Sequence, residues 1–216
     1  VSVGNGIPTF RGEDGFWTIG SHNYTPQEMA TRAMYMNDPG QFLLWYYRRF
    51  ASYRNVAPNA VHDWLSDKQL ITQNIDGLDG KAGNADYISI HGRLDKVTTL
   101  HEQTFSGGGD IALIDAPWEL VAALDQDDDE RLTKALLDQF RISARTRVPE
   151  MGVSLKPYVL LFDEFYTDLY RMSEAESWMD QAESMVFIER YCSKFARRVL
   201  CSGGSGDVPS HHGRKT

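Results

Sequence analysis

Two spacings of apolar residues run along this chain. Over 39–54, PGQFLLWYYRRFASYR, the residues Phe42, Trp45, Tyr46 and Phe50 fall at offsets 0, 3, 4 and 8, the repeat of one helix face. Residues 26–37 are predicted as a preceding helix, with Pro26 in its first turn and Thr25 as N-cap. A third helix is predicted over 58–67. Short apolar runs of the other kind follow: QLITQN at 69–74, YISI at 87–90, KPYVLLF at 156–162 and SMVFI at 184–188, each predicted as a strand. Between them, 117–141 and 173–182 read as helical. The acid run DQDDDE at 125–130 reads as a solvated turn between two helices. Residues 1–15 are a loop punctuated by Gly4, Gly6, Gly12 and Gly15, and 93–110 read as irregular, ending in Gly107, Gly108 and Gly109. Strands alternating with helices predict an α/β fold with a largely parallel sheet.

The end of the chain departs from this pattern. Residues 189–200 fit a basic amphipathic helix, and 202–216, SGGSGDVPSHHGRKT, read as disordered. From Glu189 onward six basic and two acidic residues give a net +4. A surface helix with a flexible tail accounts for that charge more simply than nucleic-acid binding does.

Composition narrows the class. The 216 residues allow one large domain or two small ones. A net charge of −8 and a pI of about 5.2 give no general attraction to nucleic acid or anionic membrane. Apolar residues at 42% suffice for a packed core. No apolar run reaches the ~18 residues of a membrane span, and VSVGNGIPTF lacks the features of a secretory signal. Cys192 and Cys201 can build neither a disulfide scaffold nor a four-cysteine zinc site. A soluble, intracellular protein, cytoplasmic or nuclear, is expected, with no metal ligands assigned.

Three clusters carry candidate chemistry at strand ends or in glycine-rich loops, where open α/β sheets bind ligands. In Gly6-Ile7-Pro8-Thr9-Phe10-Arg11-Gly12 the glycines allow close backbone approach and Arg11 can pair with a phosphate or carboxylate. In Thr72-Gln73-Asn74-Ile75-Asp76-Gly77-Leu78 two amides and a carboxylate offer the donors and acceptors that grip ribose hydroxyls and a carboxamide; the same residues would also make a plain Asx-rich turn. His91-Gly92, after YISI, can be a general base or a hydrogen-bonded structural histidine.

Together the clusters are more specific than any one alone. GIPTFRG, TQNIDGL, HG and KPYVLLFDE, in this order and with His91 placed 15 residues after Asp76, resemble the sirtuins, the NAD-dependent protein deacylases, from Val1 to about Ile188. The resemblance implies a Rossmann-like large domain with a smaller, mostly helical domain inserted in two pieces. The large part would comprise about 1–20, 55–92 and 155–188, the small part about 21–54 and 93–154, and 189–216 would lie outside the catalytic domain 1–188. NAD and an acyl-lysine protein or peptide would meet in the cleft between them.

By the same resemblance, Phe10 shields the reacting ribose and Arg11 lies near the phosphates. Ser2 belongs to the cofactor site. Ile7, Asn74, Ile75 and Asp76 line the nicotinamide pocket, with Asp76 on the carboxamide; Gln73 binds the ribose. Asn74 is also counted as catalytic, beside the general base His91. Residues 159–164, with Val159, Phe162 and Glu164 named for substrate, would pair with the peptide as an added strand. The implied reaction releases nicotinamide and moves the acyl group from lysine to ADP-ribose.

The chain also departs from the family pattern. A Gly-Ala-Gly turn does not precede Val1, the two CxxC pairs of the usual zinc site are missing between Gly92 and Pro157, and Glu189-Arg190-Tyr191 stands where a Gly-Thr-Ser turn is usual. Truncation at both ends and a small domain without zinc are therefore expected. Asp79 and Asp163 replace the family's frequent His and Gly. Phe16 and Ile19 stand where family members that prefer acidic acyl chains carry Tyr and Arg, so a neutral acyl group is expected. Two other functions remain: NAD hydrolysis or ADP-ribosyl transfer by the same pocket, and a non-catalytic NAD-binding remnant. Oligomeric state has no signature in the sequence.

Overall fold

The structure is a computed structural model that describes residues 2–7, 17–103 and 111–188. Its contacts group residues 1–177 into one unit and 178–216 into another. The first begins with a 3₁₀ turn, Ser2–Asn5, and a small antiparallel hairpin, β1 (Trp17–Ile19) with β2 (His22–Tyr24).

Helices α1 (Pro26–Met29) and α2 (Arg32–Asn37) replace the single helix expected over 26–37. The break follows from capping. Thr25 closes a capping box with Glu28, and Thr31, in extended backbone, caps α2 by accepting from Met34 N. Two amide groups at the start of α2 remain, and Asp163 takes both, from Arg32 N at 2.6 Å and Ala33 N at 3.0 Å. Asp163 thus does work a glycine could not do there.

Helix α3 (Pro39–Tyr53) is the centre of the core. It was expected to bury one face, but Phe42 to Tyr47 are all buried, so it is enclosed all round over more than a turn. Phe50 lies outside the described side chains. Against α3 pack α6 (Trp118–Ala122) and α7 (Asp129–Gln139); residues 125–128 of the acid run form the expected turn between them, while Asp129 and Glu130 open α7. Three of the buried rings have their polar tips paired: Tyr35 Oη donates to Leu155 O, Tyr47 Oη to Gln126, and Trp118 Nε1 to Leu94 O, whereas Tyr46 Oη is buried with no hydrogen-bond partner among the described residues.

After α4 (Ala60–Leu65) come two very short parallel strands, β3 (Ile71–Thr72) and β4 (Ile88–Ser89), separated by α5 (Leu78–Lys81). They occupy the middle two residues of the predicted runs 69–74 and 87–90. Two expectations need correction here. Residues 93–99 are not irregular but belong to β5 (Gly92–Thr99), the longest strand described. The run at 156–162 forms β7 (Leu155–Val159), antiparallel to β5 and outside the parallel pair, with β6 (Ile114–Asp115) on the other side of β5. Apolar alternation in β5 is interrupted by Asp95 and Lys96, and pairing with β7 overrides that local signal.

Residues 184–188, in the second unit, are also not a strand. Val186 is 79% exposed, and no described residue pairs with this run. An apolar run without a partner has nothing to close its ladder. The first unit ends in a 3₁₀ turn, Asp168–Tyr170, and the start of α8 (Met172–Gln181), close to the predicted 173–182. The predicted helix 189–200 and the tail lie outside the described residues.

Candidate active site at the ends of the parallel strands

β3 and β4 run in register, Ile71 opposite Ile88 and Thr72 opposite Ser89, so both chains leave the pair at one level. Ile90 N donates to Thr72 O at 3.0 Å and extends the ladder by one step. Gln73 to Asp76 and His91 are therefore neighbours although 15 or more residues separate them. His91 Nδ1 lies 3.0 Å from Gln73 O. A carbonyl only accepts, so Nδ1 carries the proton and the lone pair of the neutral ring sits on Nε2.

The loop after β3 is shaped by its own polar side chains. Asn74 N donates to Thr72 Oγ1 at 3.2 Å, and Leu78 N donates to Asp76 Oδ1 at 2.9 Å, an Asx turn that starts α5. The turn reading and the ligand reading are thus compatible, since a carboxylate has further acceptor capacity. Asn74 Nδ2 reaches Ser2 Oγ at 3.3 Å and draws the N-terminal 3₁₀ turn to the loop. Ser2, Ile7 and Asp76 are buried, and Ile75 packs on the main core. Asp79, in α5, is buried as well, and that burial raises its carboxyl above the ordinary value, with Asp76 adding to the rise and His62 opposing it.

Gly92 fixes how closely β7 can approach. Its φ is +80°, and a Cβ there would lie 2.0 Å from Tyr158 O. The residue after the histidine must therefore be glycine, for backbone packing as much as for ligand access. β7 then passes His91: Leu160 N donates to His91 O at 2.9 Å, and Val159 faces Gly92.

The segment 159–164 is tied down by charge. Lys156 is buried, its Nζ donating to Val159 O at 2.8 Å and to Glu164 Oε2 at 2.7 Å. Glu164 also meets Arg32 at 3.2 Å and accepts from Leu161 N at 3.0 Å. Burial lowers the Lys156 ammonium from its ordinary value, and the Glu164 carboxylate opposes this. Phe162 N donates to Ala30 O, and the Phe162 side chain is half exposed.

The structure thus brings Ser2, Gln73, Asn74, Asp76 and His91 to one region, with Val159 beside it, while Ile7 and Ile75 belong to the main core. Glu164 is engaged through its side chain in the ion cluster, and Phe10 and Arg11 lie outside the described residues. Among the described residues no group of three or more His, Cys, Asp and Glu is placed to hold a metal, and no helix is long and apolar enough to cross a membrane.

One residue escaped the sequence reading. Tyr166 Oη lies 2.9 Å from His91 Nε2, with the two rings 6.0 Å apart. Its signal in the sequence was only its place two residues beyond KPYVLLFDE.

A family model described as "Sir2 family" matches residues 1–190. A protein of Archaeoglobus fulgidus named NAD-dependent protein deacylase 1 is 39% identical over 101 residues, covering 44% of this chain and 40% of that protein. One of Daphnia pulex named NAD-dependent protein deacylase is 26% identical over 175 residues, covering 76% of this chain and 60% of its own length. A solved structure described as a Sir2 homolog–NAD complex superposes with a TM-score of 0.57 at 27% identity, covering 85% of this chain and 61% of that one. A second, from work on sirtuin substrate affinity, superposes at 0.59 with 18% identity, covering 94% and 75%, and shares the fold. The matched stretch spans 40% of the A. fulgidus protein and 60% of the D. pulex protein.

Proposed function

Because the chain belongs to the Sir2 family over residues 1–190, we propose that it is an NAD-dependent protein lysine deacylase. In this reading the acyl group passes from lysine to ADP-ribose and nicotinamide is released. The observation that carries it is the convergence of Gln73–Asp76 and His91 on the ends of two in-register parallel strands.

The donor set fits the cofactor. Asp76 keeps acceptor capacity beyond its bond to Leu78 N, and Asn74 and Gln73 add amides that match a carboxamide and ribose hydroxyls. Ser2, Ile7, Ile75, Phe10 and Arg11 complete the proposed cofactor site. NAD, when bound, supplies the ribose carbon that receives the acyl oxygen as nicotinamide departs. His91 takes a proton at Nε2, whose lone pair is fixed there by the Nδ1 bond to Gln73. Residues 159–164 would hold an acyl-lysine peptide along their backbone, and the division into large and small parts set out above belongs to the same reading.

A second reading, NAD hydrolysis or ADP-ribosyl transfer, draws support from that segment. The N–H groups of Leu160, Leu161 and Phe162 are already bonded within the chain, so an added peptide strand would have to use the remaining backbone groups. Incubation with NAD and an acetyl-lysine peptide, with nicotinamide and peptide mass followed together, separates the readings. Deacylation with peptide-dependent nicotinamide release is expected. Release without peptide would favour hydrolysis, and no binding at millimolar NAD would leave a remnant.

A further inference from the structure

We propose that Tyr166 holds the His91 imidazole by its second nitrogen and that the proton His91 takes at Nε2 passes through the tyrosine hydroxyl. The inference starts from bond polarity. Gln73 O can only accept, so His91 Nδ1 must donate to it, and Nε2 of the neutral ring must accept. Its neighbour at 2.9 Å is a hydroxyl, which therefore donates. Burial raises the Tyr166 hydroxyl above its ordinary value, so it keeps its proton at neutral pH.

An imidazole held at one nitrogen can still swing about its last side-chain torsion. A second bond at the opposite nitrogen removes that freedom, and reacting groups misplaced by an ångström lose up to about a hundred-fold in rate. A hydroxyl also suits both protonation states. Its O–H fills the one in-plane lone pair of Nε2, so a proton reaches His91 by relay: the tyrosine O–H bond breaks as its hydrogen bonds to Nε2, and the tyrosine oxygen takes a hydrogen from the substrate-side hydroxyl. The tyrosine loses one hydrogen and gains one, and His91 ends protonated at both nitrogens.

The anchor has a second consequence. Tyr166 follows the segment 159–164, which is itself held by Lys156, Glu164 and Arg32. Through Tyr166 the segment proposed to carry the peptide is linked to the group proposed as base. That His91 acts as a base rests on the proposed function; its tautomer and its bond to Tyr166 do not.

The test has two arms. In the ligand-free full chain labelled with nitrogen-15 histidine, NMR should find His91 protonated at Nδ1 and bare at Nε2. Tyr166→Phe should move the Nε2 resonance and leave the Nδ1 resonance in place. The opposite tautomer, or an Nε2 resonance unmoved by the substitution, overturns the proposal whatever the protein's activity. In the deacylation assay, Tyr166→Phe should lower kcat roughly ten-fold or more, within the range for misplaced groups, with KM for NAD and for peptide nearly unchanged. An unchanged kcat, or a change confined to KM, also overturns it. A parent chain inactive with NAD and peptide would count against the deacylase reading, and the NMR arm would still decide the role of Tyr166.

Discussion

The helical core and the strand-end site lie in the same compact unit, and they are built by different means. Around α3 the structure rests on apolar volume: Phe42, Trp45, Tyr46, Trp118 and Phe140 are almost wholly buried and interlock edge to face or tilted. Full burial of such a side chain stabilises by roughly 1.5–3 kcal/mol. At the site the strands are two residues long, and the loop geometry comes from single polar bonds: Thr72 to Asn74, Asp76 to Leu78, His91 to Gln73. A core made by volume can yield locally. A site made by backbone contact and directed bonds has fewer ways to adjust.

One substitution made in both regions should expose that difference most sharply. Gly92→Ala puts a methyl group into the Tyr158 carbonyl at positive φ, and the obstacle is backbone. Chemical denaturation should show a loss of about 4 kcal/mol or more, if the variant folds at all. Gly40→Ala, at the start of α3, meets Thr133 Cγ2 at 2.8 Å, a side-chain methyl of α7 that must shift. Such overpacking costs about 1–3 kcal/mol, offset by up to about 1 kcal/mol of helix propensity, so the variant should lose about 0–2 kcal/mol, well short of Gly92→Ala. Equal losses at the two positions would erase the contrast.

Lys156 sits where the regions meet, and its removal should have the next largest effect. Lys156→Met leaves Glu164 buried with Arg32 as its remaining cation among the ion pairs described. Breaking a buried pair from one side costs about 3–5 kcal/mol. Adding Glu164→Gln should recover part of this in the same denaturation experiment. A single variant as stable as the parent would mean that the cluster does not hold the 159–164 segment.

The smallest expected effect belongs to Asp79. Its carboxyl is raised in the folded chain, so the native state holds this proton more tightly than the unfolded chain does. The associated stability is full below the ordinary carboxyl range and is lost as pH rises through the folded value. Asp79→Asn removes the dependence. The variant should melt roughly 1–3 °C above the parent at pH 7, on the usual scale for a domain of this size, and the gain should fade toward pH 3. A gain that grew in acid would reverse the sign and refute the burial argument.

The same contrast decides what could be read before any coordinates. α3 and the α6–α7 pair follow apolar spacing and capping chemistry, so their positions were legible. The Gln73–Asp76 and His91 cluster was legible for another reason: short strands ending in amide, carboxylate and histidine residues form a local pattern that resembled a known family. β5 was not, because Asp95 and Lys96 interrupt its alternation and β7, the partner with which it makes most of its pairing, lies more than 50 residues away. The split at Ala30–Thr31 depended on Asp163, 130 residues or more from the amides it caps. Tyr166 was invisible for the same reason, since nothing near it in the sequence announces a bond to His91.

His91→Ala tests the central claim most directly, with NAD affinity measured by calorimetry and deacylation of an acetyl-lysine peptide measured on the same preparation. A residue that serves as base on a preformed cofactor site should leave NAD affinity within a few-fold of the parent, while deacylation falls by about 10²–10⁴-fold, the usual worth of general base catalysis. Undiminished deacylation, or a collapse of NAD affinity with the fold intact, would contradict the role given to His91.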